Sequence, residues 1–397
     1  MSQITSDEIL TRGVSEVLPN REGLAKLMSE RKIKVYLGID PTAAFLTLGH
    51  SVVLRKLQQF ADQGHHVILL IGNGTVRIGD PTGRDTTRPV LTDEQIQKNF
   101  ESWKEQASKV LNFSQIEILH NGDWLDKLNF SQIVQLMAKT TIQQLIERDM
   151  FQERIKKGQP IFGHEIMYPL LQGYDSVAMN VDLEIGGTDQ TFNMMMGREL
   201  QKQYNNHEKW VLSTPIIAGT DGRKMSKSYG NYIALTEPAN DMYGKLMSIA
   251  DEQILEYFTL LTDVPEAEIA EVRSGLEKGE NPMQFKKKLA WTITQMYHDE
   301  NAANQAAENF QTTVQDKGIP AELPTILVSL STIKLLELLK LCLPTESNSN
   351  LKRLIEQKSV EIFPAKRVVT DMSEELEVNG VETIRIGKLK YFQIKHA

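Results

Sequence analysis

Two short stretches of this chain hold residues suited to handling phosphate. In the first, Thr47-Leu48-Gly49-His50 opens a helix soon after a strand and the break Asp40-Pro41-Thr42. A strand feeding a helix through a turn aims free backbone N–H groups, and the positive end of the helix dipole, at one spot that suits an anion. Gly49 lets a ligand come close to the backbone, and His50 in the first turn reaches the same spot. Taken alone, the pattern is equally that of an ordinary helix start. In the second stretch, Arg223-Lys224-Met225-Ser226-Lys227-Ser228 follows Gly219-Thr220-Asp221-Gly222 and places three cations within five residues. It reads either as an exposed basic loop or as a second set of phosphate contacts.

Further candidates stand at strand ends. Tyr36, Asp40, Thr75 and Asp80 all lie in or just after apolar runs, in or near Gly-rich loops, and converge if those runs are parallel. Tyr168, Gln172 and Asp175 fall at i, i+4 and i+7, one stripe of a helix over 166–175. That stripe is either a solvated face or a surface that binds a small polar molecule. Asp189, after Gly186-Gly187-Thr188, is placed to accept ribose hydroxyls or to cap a helix.

The elements that must hold these residues follow from periodicity. Apolar strands are expected at 34–39, 67–71, 116–119, 181–185 and 210–214, separated by amphipathic helices. Thr92 and Gln95 form a capping box for a helix running to about Val110, and Met194-Met195-Met196 reads as core. Residues 1–33 read as one or two leading helices. Strands alternating with helices give an α/β, Rossmann-like parallel sheet over 1–232, with ligands at the carboxyl ends of its strands. A purely helical insertion at about 123–165 suits a dimer face or a lid. Beyond it, 233–325 is helical, with segments near 241–250, 251–261, 267–276 and 282–310. A linker at 316–325 carries Gly318, Pro320 and Pro324. Helices at 332–342 and 348–357 and β-like runs at 360–369, 383–386 and 390–395 make a small α+β domain over 330–397.

Composition bounds the class. With 397 residues, 41% hydrophobic and 24% charged, the chain has core enough for two or three domains. One cysteine, Cys342, excludes an internal disulfide and a cysteine-built zinc site. The first residues lack a signal peptide's basic start and apolar run, and the apolar stretch 326–343 is broken by Lys334, Glu337 and Lys340. A cytoplasmic protein with no membrane span is expected. The net charge of −8 argues against a general nucleic-acid coat. Yet residues 332–397 hold 11 Lys and Arg against 9 Asp and Glu, a net of +2 beside −10 elsewhere. That asymmetry hints at an RNA or anionic partner for the last segment.

The pair Thr47-Leu48-Gly49-His50 and Lys224-Met225-Ser226-Lys227-Ser228 resembles the two signature motifs of class I aminoacyl-tRNA synthetases. Within that class the chain is similar to bacterial-type tyrosyl-tRNA synthetases over essentially its whole length. The blocks Tyr36-Leu37-Gly38-Ile39-Asp40-Pro41-Thr42-Ala43, Ile78-Gly79-Asp80-Pro81-Thr82-Gly83, Tyr168-Pro169-Leu170-Leu171-Gln172-Gly173-Tyr174-Asp175 and Gly186-Gly187-Thr188-Asp189-Gln190 carry the likeness. The chain departs from the family at Thr47, where a histidine is usual; threonine donates a hydrogen bond but carries no charge.

The resemblance implies a tyrosine–tRNA ligase: L-tyrosine reacts with ATP to give tyrosyl-adenylate and pyrophosphate, then passes to the 3′ end of tRNA(Tyr). Thr42, Thr47, His50, Lys224 and Lys227 would stabilise the phosphates, a task of positioning and charge rather than covalent catalysis. Gly38, Asp40, Gly49, Gly187, Asp189 and Met225 would bind ATP together with His50, Lys224 and Lys227. Tyr36 and Asp175 would take the substrate phenol. Asp80, Tyr168 and Gln172 would hold its ammonium group, with Thr75 and Gln190 lining the pocket. Mg²⁺ is expected to arrive with ATP, with no protein-ligated metal. The helical segment resembles the family's anticodon-recognition domain, and the insertion implies a homodimer. The last domain is similar to a small RNA-binding domain of ribosomal type, although Phe363-Pro364-Ala365 replaces its usual Asn-Gly turn. Lys352 and Arg353 are its candidate tRNA contacts, and a dimer-stabilising appendage is the alternative. A tryptophanyl enzyme shares the fold and both motifs, but its indole pocket has no use for the Tyr36/Asp175 pair. An RNA-binding paralogue that has lost activity is opposed by the intact His50 and Lys224–Ser228 motifs.

Overall fold

The computed structural model describes residues 7–42, 45–81, 92–315, 323–344, 346–378, 383–387 and 390–396. Ala43, Thr82, Gly83, Gly318 and Pro320, quoted above, lie outside the described residues. The chain divides into two compact units, Met1–Glu300 and Asn301–Ala397.

The first unit is built on a sheet. In chain order it has β1 (Glu16–Leu18), α1 (Arg21–Glu30), β2 (Lys34–Ile39), α2 (Leu48–Asp62), β3 (His66–Ile71), α3 (Asp93–Ala107) and β4 (Ile116–His120). There follow α4 (Gly122–Leu125), α5 (Phe130–Met137), α6 (Ile142–Ile146), α7 (Asp149–Lys156) and α8 (Gly163–Met179). Then come β5 (Leu183–Gly187), α9 (Thr191–Asn205), β6 (Trp210–Thr214), and the helices α10 (Ala239–Met247), α11 (Ile254–Leu261), α12 (Glu266–Glu277) and α13 (Pro282–Tyr297). The spatial order is β1-β6-β5-β2-β3-β4, parallel throughout except for the antiparallel edge pair β1–β6. β2 and β3 read as continuous apolar runs because helices or loops cover both faces.

α2 is placed by both ends of its sequence. Thr47 is its N-cap in extended conformation, and the helix buries Leu48, Val52, Leu54, Leu57, Phe60 and Ala61. Each of the Leu, Val and Phe side chains contributes about 1.5–3 kcal/mol. α3 starts at the expected Thr92/Gln95 capping box, with Thr92 N–H donating to Gln95 Oε1 at 2.9 Å.

Several expectations are corrected. The leading segment holds a strand, β1, and one α-helix, because residues 15–18 find an edge partner in β6 that no local pattern announces. The fourth parallel strand begins at Leu183, two residues late, since Asp182 instead accepts hydrogen bonds from Lys34 N–H and from Arg31. The helix expected over 282–310 is two, α13 and α14 (Glu300–Phe310), broken where His298 takes φ −124°, ψ −105°.

The second unit follows α14 with β7 (Thr325–Val328), β8 (Thr332–Lys334), α15 (Leu335–Cys342), α16 (Asn348–Glu356), β9 (Val360–Phe363), β10 (Arg367–Val368), β11 (Glu375–Glu377), β12 (Thr383–Ile386) and β13 (Lys390–His396). Its main sheet runs β10-β9-β12-β13-β7, with β7 parallel to β13. β7 therefore starts inside the stretch expected to be linker, and β8 takes the first turn of the expected helix at 332. Leu335, Leu338, Leu339, Leu351, Ile355, Val360 and Ile384 form its core.

A polar clasp joins the N-terminal segment to α11. The buried Arg12 guanidinium donates from Nε to Thr259 O at 3.2 Å and from Nη2 to Thr262 O at 3.0 Å, filling carbonyls left open at that helix end. Lys56 Nζ donates to the carbonyls of Ile9 and Arg12 at 2.9 and 2.8 Å. Burial, reinforced by Arg12, lowers the Lys56 pKa to about 7. Arg12→Ala is expected to cost roughly 2–4 kcal/mol by stranding these carbonyls, seen as a lower urea midpoint with unchanged slope; an unchanged midpoint would show that water replaces the clasp.

Candidate active site

A cavity of about 250 Å³ opens at the carboxyl ends of the parallel strands. β2 supplies Gly38 and, just beyond its end, Asp40 and Thr42; the loop after β3 supplies Thr75 and Asp80; α8 supplies Tyr168, Gln172 and Asp175; β5 and its following turn supply Gly187 and Gln190. The sequence stripe on α8 thus faces ligand space and not solvent. A second cavity of about 230 Å³ is lined by Thr47, Gly49, Asp189, Lys224 and Met225, and shares His50 and Gly187 with the first. The N-terminal turn of α2 is the wall between them.

The first cavity is dense with fixed hydrogen bonds. Asp40 accepts from Thr75 Oγ1 at 2.8 Å and from Tyr168 Oη at 2.9 Å. That closeness requires Gly72, where a Cβ would stand 2.0 Å from Asp40 Oδ1. Asp80 accepts from Gln190 Nε2 at 2.8 Å, while Gln190 Oε1 accepts from Asn193 Nδ2 at 2.9 Å. At the buried end, Asp175 accepts from Trp124 Nε1 at 2.8 Å and Asn121 Nδ2 at 3.1 Å. Burial pushes its carboxyl well above the usual range against the pull of those two donors, and the Glu184 and Asp40 charges add to the rise. Tyr36 lies beneath this end and not on its lining; its ring packs with Ile68, Leu70, Met179 and Val181, and its hydroxyl is 2.9 Å from Ser176 Oγ. Burial, then the Glu184 charge, raises its pKa well above 10, so Tyr36 stays a phenol.

At the second cavity the geometry settles the protonation of His50. Thr47 N–H donates to His50 Nδ1 at 3.1 Å, and Thr47 Oγ1 lies 2.8 Å from the same nitrogen. A nitrogen that accepts from a backbone amide carries no proton, so Nε2 holds the hydrogen and is the donor. Burial first, and the Lys227 charge second, lower the His50 pKa to about 4. Thr47 therefore orients His50 through both its backbone and its hydroxyl. Trp103 meets the ring edge-on, centroids 5.8 Å apart.

The basic loop is held in place. Lys224 Nζ pairs with Asp189 at 2.9 Å, and Lys227 Nζ donates to Phe45 O at 2.5 Å while lying 4.2 Å from the Phe45 ring centroid. Lys227 lies outside both linings. The buried Asn231 side chain pins the turn: Oδ1 accepts from Ser226 N–H at 2.8 Å, and Nδ2 donates to Asp221 at 2.6 Å and Lys224 O at 3.0 Å. Lys352 and Arg353 are exposed on α16 of the second unit.

Sequence reasoning missed Asn121, Trp124, Ser176, Glu184 and Lys209. Asn121 immediately follows β4 and so stands at a strand end like the others; that position was the available signal. Among the described residues, no group of three or more His, Cys, Asp or Glu is placed to hold a metal, and no helix is long and apolar enough to cross a membrane.

A parallel sheet with paired cavities at the α2 N-terminus, closed by a lysine-bearing loop, fits the signature motifs, and comparison with known proteins agrees. The family description "tRNA synthetases class I (W and Y)" matches residues 28–315, and the chain belongs to that family. It is 44% identical to the tyrosine–tRNA ligase of Thermotoga maritima over 98% of this chain and 96% of the relative, and 45% identical to tyrosine–tRNA ligase 2 of Photorhabdus laumondii over 95% and 94%. In fold it is similar to the C-terminally truncated mitochondrial tyrosyl-tRNA synthetase of Aspergillus nidulans, with TM-score 0.66, 21% identity, and 77% and 93% of the two chains covered. The Archaeoglobus fulgidus tyrosyl-tRNA synthetase crystallised with L-tyrosine gives 0.62, 21%, 76% and 98%.

The His50 tautomer is open to direct measurement. In nitrogen-15 histidine spectra, the signals lost in His50→Gln should be those of a neutral ring protonated at Nε2 and should not titrate until about pH 4. Titration near 6.5, the ordinary histidine value, would contradict the arrangement.

Proposed function

We propose that this chain is a tyrosine–tRNA ligase, joining L-tyrosine to ATP as tyrosyl-adenylate and then to the 3′ end of tRNA(Tyr). The observation that carries this reading is the buried end of the first cavity. There Asp175, filled on both oxygens by Asn121 and Trp124, offers its remaining lone pairs to a hydroxyl. Aromatic substrates without that hydroxyl forgo this hydrogen bond at a buried, polar end of the cavity. Tyr36 closes the same end. The substrate ammonium would sit among Asp80, Tyr168 and Gln172, with Thr75 and Gln190 supporting the wall.

In the reaction, a carboxylate oxygen of tyrosine attacks the α-phosphorus of ATP and the bond to pyrophosphate breaks. No side chain forms a covalent bond. Gly38, Asp40, Gly49, Gly187 and Met225 would bind ATP across the α2 N-terminus. Neutral His50 donates through Nε2; Thr42 and Thr47 act there, and Lys224 and Lys227 bring positive charge to the phosphates as charge develops. Asp189, paired with Lys224, would take the ribose and release the lysine. Mg²⁺ would come with the nucleotide and be held by its phosphates. A terminal ribose hydroxyl of tRNA then attacks the tyrosyl carbonyl and AMP leaves.

Phe130, Val134 and Met137 are exposed on one face of α5, with Ile142 exposed on α6, which supports a homodimer through the helical insertion. The three-part division into catalytic, helical anticodon-recognition and small RNA-binding domains, and a cytoplasmic location, are retained from the sequence. The third domain is taken to start before β7, and Lys352 and Arg353 are its tRNA contacts.

Pyrophosphate exchange with tyrosine, phenylalanine and tryptophan in turn tests the whole reading. Tyrosine alone should support exchange, and a preference for tryptophan, or no exchange, overturns it. Asp175→Ala should reduce tyrosine exchange by at least ~10²-fold and shrink the margin over phenylalanine; an unchanged margin would move the phenol elsewhere.

Deleting residues 323–397 should leave exchange largely intact and depress tRNA charging, most at high salt. Each lost phosphate contact lowers the salt slope by about one. Unchanged charging at physiological salt would remove RNA binding from this domain, and a fall to monomer mass would favour the dimer-stabilising alternative.

A further inference from the structure

The buried wall of the first cavity contains an ion pair that the reaction itself does not call for. Lys209, fully buried just before β6, donates from Nζ to Glu184 Oε2 and to Ser176 Oγ, the latter at 2.8 Å. Its ammonium sits 5.6 Å from the Tyr36 ring centroid. Glu184, on β5 and 2% exposed, lines the cavity and accepts from Gln172 Nε2 at 3.2 Å through its other oxygen. Gln172 Oε1 is buried and has no partner among the described residues. The pair is built in: Arg198 Nε donates to Lys209 O at 2.9 Å, and a Cβ on Gly197 would come within 2.6 Å of Lys209 Nζ.

We propose that Glu184 and Lys209 are positioning residues for substrate selection, fixing the Gln172 amide with its carbonyl oxygen as the free end that receives the tyrosine ammonium. This rests on reading the cavity as the tyrosine site. Hydrogen-bond direction decides the orientation of the amide. An ammonium only donates and an ionised carboxylate only accepts. Lys209 Nζ donates to Glu184 Oε2 and leaves Oε1 as the acceptor that faces the cavity, so the NH₂ end of Gln172 faces Glu184 and its oxygen is left over. An acceptor there welcomes a cation; the opposite orientation would point an N–H at it.

The isosteric variant Glu184→Gln reverses this. Lys209 compels the new amide to turn its oxygen toward Nζ, so its NH₂ faces Gln172. Gln172 then rotates, presenting oxygen to residue 184 and NH₂ to the substrate. Removing the ammonium at residue 209 as well frees the amide at 184 to turn back, with its NH₂ on Ser176 Oγ and its oxygen on Gln172 Nε2.

The test is equilibrium binding of L-tyrosine and of 3-(4-hydroxyphenyl)propionic acid, its analogue without the amino group, to the full-length parent, Glu184→Gln and Lys209→Met/Glu184→Gln, each confirmed folded by thermal melting. Glu184→Gln should lose roughly 10- to 100-fold in tyrosine affinity with little change for the analogue. The double variant should bind tyrosine more tightly than Glu184→Gln does. Equal loss for both ligands, no loss for either, or a double variant no better than the single overturns the proposal. A parent that shows no preference for tyrosine over phenylalanine overturns the tyrosine reading, and this inference with it.

Discussion

Burying a group that can only donate hydrogen bonds against one that can only accept them dictates the direction of every bond that touches them. Lys209 and Glu184 are such a pair, and the orientation of Ser176 and Gln172 follows from them. Two ions without water cost several kcal/mol each before their attraction is counted; burial lowers the Lys209 pKa while Glu184 opposes that change. Such a pair stabilises weakly for its cost, but it removes ambiguity. The same logic recurs around the cavity, where Asp80 and Asn193 orient the Gln190 amide and Asn121 and Trp124 fill Asp175. The Gln172 and Gln190 amides of the lining thus have one orientation each, so a polar molecule entering the cavity would meet donors and acceptors already fixed.

The backbone supports this polarity by bringing the pieces together at the carboxyl ends of β2, β3 and β5. α2 then serves both cavities. Its first turn carries His50, whose tautomer is set directly by the backbone N–H of Thr47, three residues earlier. Across the second cavity, the loop around Lys224 owes its shape to Asn231, which ties three separate backbone and side-chain points. Lys224 and Lys227 thus stand on a turn that these bonds hold folded.

Much of this was legible in the sequence where the signal is local. β2, β3, β4 and β6 are apolar runs between turn residues, and α2, α3 and α8 have strong periodicity; eleven of the residues given a role by the resemblance line the first cavity. β1, β7, β8 and β11 are short and owe their existence to partners far along the chain, so no local pattern marks them. The break between α13 and α14 is hidden because neither Gly nor Pro marks it and apolar residues continue on both sides. Glu184 and Lys209 are separated by a helix and pair only once β5 and β6 are adjacent. The trace they left was a charge inside or beside an apolar run, with Asp182 and Glu208 as equally charged neighbours. Tyr36 shows the reverse: its type and place were evident, but its hydroxyl is turned toward Ser176 beneath the cavity.

The strand order β1-β6-β5-β2-β3-β4 also has a bearing on how the protein is made. β2 can pair with β3 almost as soon as both leave the ribosome, but its other edge waits for β5, about 150 residues later in the chain. At ordinary rates of synthesis that interval is roughly 7–30 s. Throughout it the nascent chain displays the unpaired edge of Val35, Tyr36 and Leu37, a template for adventitious strand pairing. The helical insertion between β4 and β5 lengthens that wait, so the element that adds an exposed apolar face to the finished protein also prolongs the vulnerability of the unfinished one.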